Sequence, residues 1–192
     1  MHPCRTAALS VPLLFASYGA DLRVASPDRR PPAPRPADVA AIERAIAGPP
    51  WISIEHPVNP YDATTKNAFL VVHAFHHGTP TAFPVTGTAE GLVKGDRRSI
   101  PLAFTPTSRT GAYALSRQWP NEGTWTLVVA VAQGSEDRVY AVVDLAPNGE
   151  VASVRVPTRQ QDGYTVPATV TMATVDASLR DRAARISAGH EE

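Results

Sequence analysis

From Trp51 to about Val156 the chain repeats one pattern: a short run of alternating apolar residues, then a cluster of turn residues, at roughly ten-residue intervals. No other feature limits the fold as much. In WISIEHP, Ile52 and Ile54 fall on one side. RRSIPLAF aligns Ile100, Leu102 and Phe104, AYALSRQ aligns Tyr113 and Leu115, and TWTLVVAVA aligns Trp125, Leu127, Val129 and Val131. AFLVVHAFH is apolar on both faces. VKGDRR, TPTSRTG, WPNEG and GSEDR read as turns, and APNGE joins VYAVVDL to VASVRV as a hairpin with an Asn-Gly turn. TAFPVTGTAEGLV is interrupted by Pro84, Gly87 and Gly91 and is expected as an irregular or edge strand. Period-two runs with short connections predict an all-β, antiparallel sandwich of seven or eight strands. A parallel α/β sheet is excluded, because its crossovers need a dozen or more residues, usually helical.

The flanks differ. In MHPCRTAALSVPLLFASYGA, Arg5 precedes an apolar run from Ala7 to Phe15, and small residues follow. That is the layout of a secretory signal peptide over residues 1–20, with cleavage near Gly19 or Ala20, so the chain is expected to be periplasmic or secreted. The run is well short of the ~20 residues that span a bilayer and contains Pro12, so no stable membrane span is expected after cleavage. Cys4, the sole cysteine, leaves with this segment, which removes disulfides, thiol catalysis and thiolate metal sites from the mature chain.

Residues 21–37 form a Pro/Arg-rich linker. A short helix is expected over 38–48, with Val39, Ile42 and Ile46 on one side, Asp38 as cap, and Gly48–Pro49 as stop. The β domain spans 51–157. Residues 158–192 read as an extension with a second short helix in VDASLRDRAARIS, where Leu179, Ala183 and Ile186 make the apolar stripe and Asp181 lies four before Arg185.

The stretch RTGAYALSRQWPNEGTWTLVVAV carries a resemblance. Its Gly111, Tyr113, Pro120, Gly123, Trp125, Leu127, Val129 and Val131 are similar to the late strands of small exported immunoglobulin-like sandwiches, the FixH-like, YtkA-like and CopC-like proteins. The resemblance covers about two strands and implies an immunoglobulin-like fold, with Trp125 filling a core and Tyr113 bracing a strand corner. It does not carry a copper role. The copper members resemble one another in a histidine at the mature N-terminus and in Met or His ligands on loops. Here the only early histidine is His2, inside the expected leader, and the only later methionine is Met172.

Chemistry-bearing residues are sparse. With 18 basic and 18 acidic residues there is no excess charge to recruit nucleic acid. HAFHHG gathers His73, His76 and His77. At ~3.3 Å per residue a strand would set His73 and His77 some 13 Å apart on one face, with His76 on the other. A copper or zinc site would therefore need a bend and a further ligand such as His56 or Glu90. Without that, the cluster is a strand end and no cofactor is implied.

Tyr61 and Trp119, with Trp51, are candidates for a contact or sugar-stacking surface, the alternative being aromatic packing over the ends of the sandwich. The GDRR turn, ending in Arg97 and Arg98, reads as a solvated hairpin tip that could also hold an anion. Neither G-x-S-x-G nor H-E-x-x-H occurs, and Glu55, Glu90, Asp96, Glu122 and Asp144 are scattered, which disfavours a small hydrolase. The sequence thus predicts a non-enzymatic binding or assembly module of the cell envelope, its partner an envelope protein or a glycan. The alternative is a metal-binding accessory protein using His73, His76, His77 and His56. Oligomeric state is left open.

Overall fold

A computed structural model describes Arg35, residues 48–135 and residues 137–188. The expected leader, the remainder of the linker and the helix up to residue 47 lie outside the described residues. In chain order the strands are β1 (Trp51–Glu55), β2 (Leu70–His76), β3 (Thr79–Pro80), β4 (Val85–Val93), β5 (Asp96–Pro101), β6 (Thr105–Pro106), β7 (Ala112–Leu115), β8 (Thr124–Gln133), β9 (Asp137–Leu145), β10 (Val151–Arg155), β11 (Thr158–Gln161) and β12 (Tyr164–Pro167). Helix α1 (Met172–Ala188) follows.

Every pairing is antiparallel. One sheet runs β1-β2-β7-β6, with β3 beside the end of β2; the other runs β10-β9-β8-β4-β5. Eight strands of four or more residues build these sheets, and the two-residue pieces β3 and β6 and the separate hairpin β11–β12 complete the set.

Alternation sets what each sheet buries. Ile52, Leu70, Val72, Ala74 and Leu115 of the first sheet share one core with Leu127, Val129, Val131, Ala141 and Val143 of the second. Each valine, leucine or isoleucine side chain among them, removed fully from water, contributes about 1.5–3 kcal/mol. Trp125 fills this core, its Nε1 donating to the Glu122 carbonyl at 2.7 Å. The Tyr113 hydroxyl donates to the Phe83 carbonyl at 2.8 Å and so ties β7 to the segment that crosses from one sheet to the other.

Strand β8 is buried on both sides along Thr124–Val131. Its second face meets α1, whose Val175 and Leu179 pack on Val128 beside Tyr140 and Val170. The second sheet is thus covered on both faces, by the first sheet and by the helix. Among the described residues no helix is long and apolar enough to cross a membrane.

Two local expectations are corrected. Strand β4 is neither irregular nor an edge: it runs unbroken between β5 and β8. Its Gly91 faces Trp125 in register, and a Cβ there would stand 2.5 Å from the indole ring. The glycine makes room for the ring; it does not break the strand. The stretch after 157 also holds more than a helix. Asp162 and Gly163 both take positive φ, at 52° and 82°, and close the hairpin β11–β12.

Candidate functional site

The outer face of the first sheet carries the residues of interest. In the β1–β2 ladder Trp51 lies opposite Phe75, Ser53 opposite His73, and Glu55 opposite Val71. Period-two alternation turns all six away from the core. Trp51 is 44% exposed, and the Phe75 ring stacks with the His73 ring at 6.2 Å and 23°.

His73 is held by charge. Its Nε2 donates to Glu55 Oε2 at 2.8 Å, and Arg109 Nη2 donates to the same oxygen at 3.2 Å. Glu55 Oε1 accepts the Asn59 amide at 3.1 Å. Arg109 Nε reaches Asp62 Oδ2 at 3.1 Å, while Asp62 Oδ1 caps the short turn at Ala63–Thr65 through the Thr64 amide at 2.9 Å. Burial alone would raise the Glu55 carboxyl, but the Asn59 amide, His73 and Arg109 outweigh it and hold it below the ordinary value. The 56–69 loop is therefore tied down beside this face, and both its Thr65 and the outward Val71 are buried. Arg109 and Phe75 were not singled out in the sequence. Phe75 was legible as the same-face neighbour two residues after His73; Arg109 depends on a loop 54 residues from Glu55.

The remaining histidines do not join His73. His56 places Nδ1 3.1 Å from the Phe69 carbonyl and its ring 5.6 Å from the Phe69 ring. His76 ends β2 on the opposite side from His73, with its ring 5.9 Å from Phe83. The chain turns at His77 and Gly78, with φ of 49° and 76°, which brings the His77 ring 4.3 Å from His76. Among the described residues no three His, Cys, Asp or Glu side chains gather into a group that could hold a metal.

The two aromatic candidates part company. Tyr61 is 95% exposed on the loop. Trp119, a candidate either for the contact surface or for packing over an end of the sandwich, is 4% exposed and belongs to the core. Its ring meets Phe69 edge-on at 5.2 Å, and the Arg117 guanidinium lies over both rings. The turn that carries Trp119 folds the indole back over the open end between the sheets, where its large apolar surface is removed from water.

The outer face of the second sheet organises the charges that looked scattered. Ser99, Glu90, Thr126, Asp144 and Ser153 form one lateral row across β5, β4, β8, β9 and β10. Ser99 donates to Glu90 at 2.9 Å; Thr126 and Ser153 donate to Asp144 at 2.8 and 3.2 Å. Arg97 bridges Glu90 at 2.7 Å and Asp176 of α1 at 2.6 Å. It sits on β5, and its anions are the protein's own; the hairpin tip is Lys94–Gly95.

Arg182 of α1 lies 3.3 Å from Asp144 and donates to the carbonyls of Trp125 and Leu145 at 3.3 and 3.1 Å. Burial alone would raise the Asp144 carboxyl, but the Thr126 hydroxyl and the charges of Arg182 and Arg155 hold it below the ordinary value. These carboxylates anchor the helix. Compared with models of protein families, with curated proteins and with solved structures, the chain matches none.

Proposed function

We propose that the chain is an exported, non-enzymatic immunoglobulin-like module that binds or assembles at the cell envelope through the outer face of its first sheet. The observation that carries this reading is an asymmetry. Helix α1 covers the outer face of the second sheet, while the outer face of the first leaves Trp51 exposed directly beside Phe75. Adjacent aromatic rings present a large, stiff surface that ordered polar neighbours can orient, a combination enriched where proteins bind partners. His73, Glu55 and Arg109 supply that polar edge, and Tyr61 stands on the adjoining loop.

The immunoglobulin-like part rests on strand order. That topology pairs A-B-E-D in one sheet and C′-C-F-G in the other. Lettered in chain order with β3 omitted, β1-β2-β7-β6 and β5-β4-β8-β9 take those places, and β10 adds one strand beside G. Export is supported by the leader-like start around Arg5 and the apolar run to Phe15.

The test presents the full chain to a glycan array and to envelope extract, alongside W51A/F75A and the control Met172→Ala on α1. Retention of a glycan or an envelope protein by wild type and by the control, lost in W51A/F75A, supports the reading. Equal retention by W51A/F75A overturns it.

A further inference from the structure

A cavity of about 100 Å³ lies between the outer face of the second sheet and α1, on the opposite side of the molecule from Trp51. Its walls are of two kinds. Val142, Val170, Val175 and Pro157 make its apolar side, and Arg155, Asp144, Ser178 and three threonines supply the polar groups. Arg155 is 54% exposed at its side chain, so the guanidinium stands where the chamber meets solvent.

The charge at this point is unbalanced. Asp144 is 8% exposed and each of its oxygens is already engaged, Oδ1 by Thr126 and Arg182, Oδ2 by Ser153 and Arg155. One carboxylate therefore serves two guanidiniums. Among the described residues Arg155 meets no other acceptor, which leaves most of its donor fork unused. A guanidinium held on one edge by a buried carboxylate is oriented, and its remaining donors match a carboxylate in geometry as well as charge.

The chamber sets the rest of the ligand. Benzene fits an apolar cavity of ~150 Å³, so the ~100 Å³ here, apolar on the side of Val142, Val170 and Val175, admits by size an aliphatic chain of about four carbons. We infer that this cavity is a binding site for a short-chain aliphatic carboxylate, its carboxylate on Arg155 and its alkyl chain among Val142, Val170 and Val175. The site is independent of the face around Trp51, and neither reading stands or falls with the other.

The test is a titration of the full-length, methyl-labelled chain with sodium butyrate, with n-butanol and sodium chloride as controls, followed by NMR. Saturable shifts of the Val142, Val170 and Val175 methyls with butyrate are expected, and butanol should bind about tenfold or more weakly. Arg155→Gln should weaken butyrate binding by a similar factor. Ser178→Leu, which fills the chamber without touching its charge, should abolish binding while leaving the other methyl resonances in place. Non-saturating shifts would show a water-filled cavity only. That result, or undiminished butyrate binding in either variant, overturns the site.

Discussion

Trp51 stands directly across from Phe75 on neighbouring antiparallel strands, with 44% of its surface open to water. Trp119 and Trp125, the chain's other two tryptophans, are 4% and 3% exposed. Removal of Trp51 should therefore differ from removal of a buried indole such as Trp119. Trp51→Ala should change the unfolding free energy by under ~1 kcal/mol, whereas Trp119→Ala should cost about 3–5 kcal/mol. Urea melts of the two variants check this. Comparable losses would mean that Trp51 is packed rather than presented.

Breaking the tie between α1 and the sheet should be costly. Asp144→Asn leaves Arg182 facing a group without charge, and loss of one partner of a buried pair typically costs about 3–5 kcal/mol. Replacing both, as D144N/R182M, should recover part of that loss, because Arg182, the more buried of the two guanidiniums that Asp144 pairs, goes too. A double-mutant cycle on melts measures the coupling, and additive losses would refute it.

The same carboxylate gives a pH dependence with a fixed sign. Asp144 titrates below its ordinary value in the folded chain, so its stabilisation is complete above the unfolded value, near ~3.9, and is lost as pH falls through the lower folded value. The stability gap between wild type and Asp144→Asn should thus be constant from neutral pH to about pH 5 and shrink below pH 4. A gap that widens on acidification contradicts the assignment.

Gly91→Ala should destabilise by about 1–3 kcal/mol, because the added methyl would meet the Trp125 ring at 2.5 Å. Gly95→Ala is the contrast. It has open space around its Cβ and strain only from its φ of 88°. A shift in Trp125 emission should accompany the first change and not the second.

Much of the β pattern could be read from local periodicity. The alternation of Trp125, Leu127, Val129 and Val131 identified the core face of β8, and the i, i+4 placement of Asp181 and Arg185 identified an ion pair that forms. What local pattern could not supply was registry between distant strands. Glu90 and Asp144 are 54 residues apart and come into one row only because β4 and β9 both pair with β8. Gly91 was misleading because a glycine that weakens an isolated strand can also make space for a ring on the next one. Trp119 left two readings open for a related reason: a polar turn says where the backbone goes, not where a large side chain folds. The hairpin closed at Asp162–Gly163 was missed, because its flanking strands, TRQQ and YTVP, carry too few apolar residues to announce themselves.

Zinc or copper should bind the wild-type chain no more tightly than a His73, His76 and His77 triple alanine variant. His73 is committed to Glu55 on the outer face, while the His76 and His77 rings meet on the other side of the strand end. Calorimetric titration of both proteins decides this. A wild-type site at least tenfold tighter would show that the imidazoles can converge.

The most direct test of the proposed contact face is hydroxyl-radical footprinting of the full chain with and without the glycan or envelope protein it retains. Oxidation of Trp51 and Phe75 should fall in the complex while that of Met172, exposed at the start of α1, stays the same. Protection of Met172 with Trp51 and Phe75 unchanged would place the contact on the helix side and contradict the account.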